Sequence, residues 1–437
     1  MKKIKKWIPL MSELFFLALF VWIFLRNSYG ILNSDTDLLW HIRQGEWLID
    51  NKKIIIDREI FTYLFDTTNW KYLSWLSDIL YARMYRLWGF ASIITMTELV
   101  IAGTVFMIFR YLCKKGVSLL ISIPVILLCI RFYSFHWLPR AAIFSYFFTA
   151  LWFIIIDMYY SEGKKKWLYF LPLIQILWTN IHSSFMYGYI IFFFFALSAF
   201  IEITLFKKYE KKTVLYNIVL IGFLTGAASL INPYGITYFT ELNSEARSFF
   251  SQIIAEFLSV NMHGSVIENI YFVMLLFLLI MFGKKEKPAY IMLLVFWQYS
   301  GFEYVRHMAL FGVMTMLILP QLIEIKFNEN NLKLQKINGY FEKILTVEKE
   351  GKLRYFYIFT ALIFIFCGVN SKIAEKIGIH YSLNETRYPV KAVEYLKKNR
   401  IAGKGFNDYF AGGYMIWKFY PEKIVSMDPR ATVYPID

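Results

Sequence analysis

The sequence is poor in cysteine and in charged residues, and it lacks the short motifs of common soluble enzymes. Its three cysteines lie singly in or beside apolar segments, and no CxxC pair or Cys/His zinc spacing occurs. This pattern argues against a disulfide framework and against a zinc site. No P-loop, no GxGxxG after a predicted strand, no HExxH and no GxSxG is present. Soluble nucleotide chemistry and hydrolysis at these familiar sites are therefore not predicted.

Apolar and aromatic residues dominate instead. Of the 437 residues, 58% are hydrophobic and 20% are aromatic, whereas 18% are charged. A soluble domain of this length would be far less apolar. The composition is typical of a polytopic membrane protein.

Eleven segments are predicted as membrane spans, because a helix needs roughly 20 apolar residues to cross a hydrocarbon core of ~30 Å. The first, residues 7–25, follows four lysines and lacks a small-residue cleavage site, which predicts an uncleaved signal anchor. The others are 91–112, 117–133, 139–160, 167–181, 183–205, 213–232, 267–283, 288–302, 305–325 and 354–370. The fifth and ninth segments are short.

The positive charge of the chain follows these spans. If the N-terminus is cytoplasmic, the segments on the inner side carry +17 and the rest of the chain carries −2, which accounts for the net charge of +15. Basic residues concentrate in the cytoplasmic loops of membrane proteins. The sequence therefore predicts a multi-pass protein of the bacterial cytoplasmic membrane with an extracytoplasmic C-terminus. The distribution of positive charge reflects the membrane topology, so no nucleic-acid partner is expected. The inner segments are 1–7, 110–115, 161–166, 207–212, 284–287 and 326–354.

The first outer loop, residues 26–90, holds most of the polar residues that are candidates for chemistry. Residues 72–88 have amphipathic helical spacing with many aromatic side chains, and residues 37–49 show a similar pattern. Such segments lie in the plane of the membrane surface. We expect both to be interfacial helices.

Asp35 and Asp37 open this loop. In an extended segment, residues two apart project to the same side, so the carboxylates could bind a divalent cation, Mg²⁺ or Mn²⁺, or one could act as a general base. His41 would be a neighbour of Asp37 if the helix begins there. A structural alternative is that Ser34 or Asp35 caps the helix while Asp37 favours its positive end.

Arginines at the outer ends of distant spans are candidates for binding a lipid phosphate, because the planar guanidinium suits phosphate oxygens. The alternative is that they reach for lipid headgroups, or that Arg306 pairs with Glu303. The predicted phosphate-binding residues are Arg131, Arg140, Arg306 and His307. The predicted substrate pocket adds Arg43, Glu46, Asp57, Trp75, His136, Asn180, His182 and Glu303.

After the last predicted span, residues 371–437 become polar. Two helices, Pro389–Asn399 and Gly412–Phe419, and two short strands, Lys404–Asn407 and Lys423–Met427, are predicted. This α/β segment is too small to form a core alone. We expect either that it packs on the membrane domain, residues 1–370, or that the native chain continues beyond Asp437.

These features resemble the GT-C class of integral-membrane glycosyltransferases, and within it an uncharacterised bacterial branch. The similarity extends over nearly the whole chain. It is carried by Asp35-Thr-Asp37-Leu-Leu-Trp40-His41-Ile-Arg-Gln-Gly45-Glu46, Asp57, Phe61-Thr-Tyr63, Trp70, Trp75-Leu, Arg140, Phe144-Ser-Tyr146, Asn180-Ile-His182, Asn232-Pro-Tyr-Gly235, Arg306-His307, Gly412-Gly413-Tyr-Met-Ile-Trp417 and Asp428-Pro-Arg430.

The resemblance implies an all-α membrane fold and a sugar donor linked to polyprenyl phosphate, used outside the cytoplasmic membrane. It also implies an aspartate of the first outer loop as base or metal ligand. Carried to this chain, Asp35 and Asp37, with His41 beside them, take the catalytic positions, and Arg140 or Arg306 holds the donor phosphate. The acceptor, an envelope glycan, lipid or protein, stays open, and membrane lipids are the other expected partners.

Two other functions fit the sequence less well. A transporter or flippase of lipid-linked saccharides would need polar residues through the membrane centre and often has internal repeats. This chain concentrates its polar groups on the outer side and shows no repeat. A non-catalytic subunit of an envelope polysaccharide system would keep its function when both aspartates are replaced by asparagine.

Overall fold

The structure is a computed structural model that describes residues 9–56, 58–64, 71–247, 254–261, 269, 273–274, 287–330, 343–353, 355–369, 375–376, 378–422, 425–430 and 433–434. These residues are mostly helical, as predicted. The helices are α1 (Met11–Asn33), α2 (Leu38–Asp50), α3 (Trp75–Lys115), α4 (Leu119–Tyr133), α5 (Ala142–Glu162), α6 (Lys165–Leu168), α7 (Leu171–Ile181), α8 (Met186–Thr204), α9 (Lys211–Ala228), α10 (Thr237–Arg247), α11 (Pro288–Glu303), α12 (Met308–Asn330), α13 (Phe356–Val369), α14 (Val390–Lys398) and α15 (Tyr409–Phe419).

Helices lie at ten of the eleven predicted spans. Most of the remaining one, residues 267–283, lies outside the described residues. Within the described part of the chain, five helical stretches are long and apolar enough to cross a membrane. Length and composition thus indicate a multi-pass membrane protein, and the count of eleven stays a prediction. The five are Trp75–Lys115, Leu119–His136, Ala142–Glu162, Ser183–Thr204 and Val305–Ile325.

Helix α3 joins the predicted interfacial segment to the predicted second span through a kink. Trp88 and Gly89 have non-helical backbone angles, and Gly89 has a φ of 63°. Glycine adopts this left-handed region without the steric penalty that a Cβ would bring. The kink lets the amphipathic first part of α3 pack on α2, while the apolar second part packs on α1 and α5.

A close backbone approach joins α12 to α4. A Cβ placed on Gly312 of α12 would lie 2.8 Å from the backbone nitrogen of Tyr133 and 3.0 Å from the carbonyl oxygen of Cys129. Small residues let helix backbones approach in this way. Helix α12 therefore packs directly on the C-terminal end of α4, from which the chain leads to Arg140.

The C-terminal segment packs on the first outer loop, in agreement with the expectation that it packs on residues 1–370. Both predicted helices form, as α14 and α15, and α15 lies on α2. A Cβ on Gly413 would lie 2.7 Å from the carbonyl oxygen of Thr36, so glycine is needed for this contact.

The strands predicted in this segment do not form within the described residues. Residues 404–407 are extended without a ladder, and only a single bridge joins Thr62 to Val425. The physical reason is local, because side-chain bonds hold the chain here. Asn407 Nδ2 donates to the carbonyl of Met427, and the backbone nitrogen of Ser426 donates to Asn407 Oδ1. Residues 423 and 424 lie outside the described residues.

Candidate active site

Arg140 joins the two aspartates of the first outer loop. It lies just before α5, and its guanidinium donates to both carboxylate oxygens of Asp35. The same guanidinium lies 2.9 Å from Asp37 Oδ2. Such a bidentate pair fixes geometry as well as neutralising charge. The structure thus brings together three residues that the sequence predicted as separate parts of one site.

The two aspartates differ in their surroundings. The side chain of Asp35 is 2% exposed, and its Oδ1 also accepts the backbone N–H of Asp37 at 3.0 Å. The side chain of Asp37 is 14% exposed, and Arg140 is its only ion-pair partner among the described residues. Burial raises the pKa of Asp37 from 3.8 to about 7, with Arg140 opposing the rise and Asp35 adding to it. Asp37 is therefore the carboxylate able to exchange a proton near neutral pH.

The sequence suggested an extended backbone at Asp35–Asp37, but the structure shows a bend followed by the start of α2. Asp35 lies in the short segment between α1 and α2, where the chain bends at Ser34 and Thr36, and Asp37 is the N-cap residue of α2 with helical angles, φ −75° and ψ −31°. The Asp37 side chain makes no capping hydrogen bond. The carboxylates nevertheless face one guanidinium, because the backbone N–H of Asp37 donates to Asp35 Oδ1 and holds that side chain beside the start of α2. Helix capping alone therefore does not account for either acid.

A small cavity lies beside this ion pair. It measures about 60 Å³ and draws its walls from the ends of several helices. Four residues predicted for the site line it, namely His136, Arg140, His182 and Arg306. Asp35 and Asp37 adjoin it through Arg140. Residues far apart in sequence thus share one polar pocket at a single end of the helical domain.

Glu256 also lines the cavity, and sequence reasoning missed it. Its carboxylate lies 3.3 Å from Arg140 and 3.2 Å from His136. Burial raises the pKa of Glu256, but Arg140, His136 and Arg306 together outweigh this effect and hold the pKa well below its usual range. The residue sits in a 3₁₀ turn, Ala255–Phe257, whose sequence has no periodicity that would mark it. Covariation with Arg140 is the signal that could have found it.

Unlike Arg140, Arg306 has no carboxylate within ion-pair distance among the described residues, although the Glu256 carboxylate is near enough for their charges to interact. Its guanidinium lies over the ring of Phe257, 4.3 Å from the centroid. The expected pair with Glu303 does not form, because α11 ends at Glu303 and leaves that side chain exposed. No ion pair of Arg306 occurs among the described residues. It is the site cation with the most freedom to bind an anion.

The histidines of the site have different roles. His182 lies 3.0 Å from Ser145 Oγ. Burial, with Arg306 as the next cause, lowers the pKa of His182 to about 3, so its imidazole is neutral. His307 lies 2.7 Å from Ser300 Oγ and 3.0 Å from Tyr187 OH and does not line the cavity. A neutral ring can orient a hydroxyl but adds no charge for a phosphate.

His41 does not pair with Asp37, although its spacing along the helix suggested that it would. Its Nδ1 lies 2.8 Å from Asp78 Oδ1, and Gln44 donates to the other Asp78 oxygen at 2.7 Å. Gly45 faces the carbonyl of Asp78 so closely that no Cβ would fit. These contacts bind α2 to the first part of α3. His41 therefore supports the helix that begins at Asp37, rather than contacting that carboxylate.

Arg43 and Glu46 of α2 do not line the cavity. They pair with each other at 2.8 Å, and Arg43 donates to the carbonyl of Trp417 at 2.6 Å. Their observed contact is with the C-terminal helix α15. The structure therefore places them between the first outer loop and the C-terminal segment.

Three further predicted residues lie outside the cavity wall. Trp75 donates its indole N–H to Asn180 at 2.9 Å, and Asn180 in turn donates to the carbonyl of Ile231. Arg131 is exposed with its guanidinium over the ring of Phe135. Asp57 lies outside the described residues. Trp75 and Asn180 thus join the start of α3 to the end of α7, directly before His182.

The C-terminal segment also reaches the aspartates. Tyr388 donates its hydroxyl to the backbone carbonyl of Asp35 at 2.7 Å, and Arg387 donates to the carbonyl of Ser34. The bend that presents Asp35 is therefore held from both sides. No sequence motif pointed to Tyr388, because the contact spans more than 350 positions.

The donor set does not fit a divalent cation as it stands. Both oxygens of Asp35 and one of Asp37 are occupied by Arg140. Within the described residues, no group of three or more His, Cys, Asp or Glu side chains is placed to hold a metal. Mg²⁺ or Mn²⁺ would have to displace the guanidinium first.

No protein-family model matches the chain, and no curated protein matches it in sequence. The crystal structure of the Archaeoglobus fulgidus oligosaccharyltransferase in the apo form is similar, with a TM-score of 0.56 and 11% identity. The chain therefore shares its fold with part of that structure. The likeness covers 96% of this chain and 64% of the archaeal one, so the chain spans less than two thirds of that protein. The expected glycosyltransferase resemblance is thereby confirmed for the fold alone.

Proposed function

We propose that the chain is an integral-membrane glycosyltransferase of the GT-C type. It moves a sugar from a polyprenyl-phosphate donor to an envelope glycan, lipid or protein on the outer face of a bacterial cytoplasmic membrane. The observation that carries this proposal is the Asp35–Arg140–Asp37 cluster beside a pocket lined by Arg306. The oligosaccharyltransferase fold supports it, because that neighbour transfers saccharides.

Asp37 is the general base in this proposal. Its carboxylate accepts the proton of an acceptor hydroxyl, whose oxygen then attacks the anomeric carbon of the donor. The bond from that carbon to the phosphate oxygen breaks, and the lipid phosphate leaves with the electron pair. A positioned base contributes about 10²–10⁴-fold to such a step. Asp35 and Arg140 hold Asp37 in place, so Asp35 acts as a positioning residue.

Arg306 binds the donor phosphate. Arg140 contacts three carboxylates, those of Asp35, Asp37 and Glu256, whereas Arg306 contacts the Phe257 ring. A phosphate near Arg306 would meet less competition. Its charge grows as the sugar departs, and a fixed guanidinium stabilises developing charge in a site shielded from water.

The positions of the basic residues support the proposed orientation. Helices α3 and α5 both begin near the aspartate cluster and end at basic residues, Lys114 and Lys115 for α3 and Lys164 after α5. Helix α5 has 21 residues, which corresponds to about 32 Å at 1.5 Å per residue. The basic ends thus lie across the membrane from the site. By the positive-inside rule the aspartates face outward.

The proposed membrane topology of the whole chain is consistent with this orientation of the site. We propose that the N-terminus is cytoplasmic, that eleven spans form the domain of residues 1–370, and that residues 371–437 cover the site from outside. The packing of Tyr388 and Gly413 on the Asp35–Thr36 bend supports a covering role.

The test is sugar transfer by the purified full chain from a synthetic polyprenyl-phosphate sugar. The wild type is compared with the double variant Asp35→Asn/Asp37→Asn and with Asp50→Asn, an exposed acid paired with Arg86. We expect transfer by the wild type and by Asp50→Asn, and none by the double variant. Equal transfer by all three would overturn the proposal, as would movement of the donor across vesicles without transfer.

A further inference from the structure

A large depression lies at the end of α3 and α5 opposite the aspartate cluster. This basic groove runs between α3 and α5 and has a volume of about 510 Å³. Its walls are apolar side chains of both helices, including Phe106, Met107, Leu151 and Met158. Its mouth is formed by Lys114, Lys115, Glu162, Lys164 and Trp167. An apolar channel with a charged mouth matches a lipid better than a water-soluble ligand.

The groove lies at a membrane-interface level. Lys114 and Lys115 form the last residues of α3, and Lys164 follows the end of α5. Trp167 is 48% exposed at the same end, and tryptophan concentrates at membrane–water interfaces. The apolar walls extend from there into the part of the helices that crosses the membrane. A lipid chain in the groove would therefore have its headgroup at Lys114.

The charges at the mouth distinguish one lysine from the rest. Lys115 Nζ lies 2.7 Å from a carboxylate oxygen of Asp157 and of Glu162. The Lys164 ammonium also forms an ion pair with Glu162. Lys114 is exposed and has no ion-pair partner among the described residues. Arg110, deeper in the groove, is already bound to Glu348. The mouth therefore offers one unpaired ammonium group and no unpaired carboxylate within the described residues.

We propose that the basic groove binds an anionic glycerophospholipid of the inner leaflet. One acyl chain lies between α3 and α5, and the phosphate lies against Lys114 with Lys164 at its edge. A zwitterionic headgroup fits less well, because Glu162, the acid at the mouth, is occupied by two lysines. The proposal does not depend on the reaction at the aspartate cluster, which lies at the other ends of the same helices.

The test measures lipid binding to the full chain in detergent by native mass spectrometry, with titrated phosphatidylglycerol or phosphatidylethanolamine. The variant Lys114→Gln/Lys164→Gln removes two positive charges of the mouth, whereas the separate variant Lys114→Arg keeps the charge at position 114. The control Lys207→Gln/Lys212→Gln removes two exposed lysines near the start of α9, outside the groove. A thermal melt of each variant verifies that it is folded.

We expect the wild type, Lys114→Arg and the control to bind phosphatidylglycerol in preference to phosphatidylethanolamine. The Lys114→Gln/Lys164→Gln variant should bind it about 30-fold more weakly, from two lysines near an anionic headgroup. Filling the groove with Met158→Trp should weaken binding of both lipids. Equal binding of the two lipids by the wild type, or binding by the double variant as strong as by the control, overturns the proposal.

Discussion

Arg140 donates hydrogen bonds to both carboxylate oxygens of Asp35, although 105 positions separate the two residues in the chain. Asp37 is bound less tightly to Arg140 than Asp35 is, because only one of its oxygens contacts the guanidinium, at 2.9 Å. The division of labour between the two acids follows from this asymmetry. Asp35 positions the arginine and the bend, and Asp37 exchanges a proton.

The rate of transfer should depend on pH through Asp37. Burial raises the pKa of Asp37 to about 7, so the base form is lost as the pH falls through that value. We expect kcat to rise with pH, roughly tenfold per pH unit below pH 7, and to level off above it. Initial rates between about pH 5 and pH 9 measure this profile.

The Asp50→Asn variant should keep the same pH profile, since its exposed carboxylate lies in a separate pair with Arg86. A rate that does not change across pH 7, or that falls as the pH rises through it, would rule out Asp37 as the base.

Replacing Arg306 should weaken donor binding. Hydrogen bonds to charged groups contribute about 1.5–3 kcal/mol, so Arg306→Gln should raise the donor KM by about 10–100-fold. Arg306→Lys should recover part of that loss, because it keeps the charge but not the planar fork. Steady-state kinetics with varied donor concentration measures both variants. Arg86→Gln, an exposed arginine paired with Asp50, is the matched control with an unchanged KM. A donor KM insensitive to Arg306→Gln would assign the phosphate to another residue.

Arg430 should be central to the stability of the C-terminal segment. Its side chain is fully buried between Glu59 and Asp428, at 2.7 Å from each. Burial raises the pKa of Glu59, but Arg430 and the backbone N–H groups of Thr62 and Phe61 together outweigh this effect and lower the pKa, so the pair is charged. Removing one partner of a buried pair costs about 3–5 kcal/mol, because it leaves an uncompensated charge. Arg430→Met should therefore lower the free energy of unfolding by that amount.

The matched control for Arg430 is Lys391→Met, which removes an exposed pair with Glu385. Exposed pairs contribute about 0–1 kcal/mol, so this variant should unfold like the wild type. Unfolding in detergent, followed by the protease sensitivity of the C-terminal segment, measures both. Equal stability of the two variants would mean that the buried cluster does not anchor the segment.

Chelation of divalent cations should leave transfer nearly unchanged. Arg140 occupies the carboxylate oxygens that a cation would need, and it supplies positive charge at the same place. Transfer is measured in EDTA and again with added Mg²⁺ or Mn²⁺. Loss of activity in EDTA and its return with either cation would show that the metal displaces the guanidinium.

Much of the helical framework could be predicted from the sequence, because apolar segments of sufficient length leave few alternatives to membrane helices. The kink at Trp88–Gly89 falls where the interfacial pattern gives way to the apolar one. The strand predicted at residues 404–407 was wrong, since a short extended run does not reveal whether a partner strand exists. Residues 404–407 are held by side-chain bonds of Asn407 instead.

The candidate site was predictable in part. Asp35 and Asp37 were visible as a local pair, and Arg140 as an arginine at an outer helix end. Their contact depends on how α5 packs beside the first outer loop, which no local pattern encodes. His41 was assigned to Asp37 by spacing along one helix, but the Asp78 carboxylate on a neighbouring helix binds it.

Asp37→Asn tests the central claim most directly, with kcat and donor KM measured by sugar transfer from a polyprenyl-phosphate donor. The account predicts a fall in kcat of about 10²–10⁴-fold with little change in KM, because the amide can no longer accept the acceptor's proton. The Asp50→Asn variant should match the wild type. An Asp37→Asn enzyme with wild-type kcat would contradict the account.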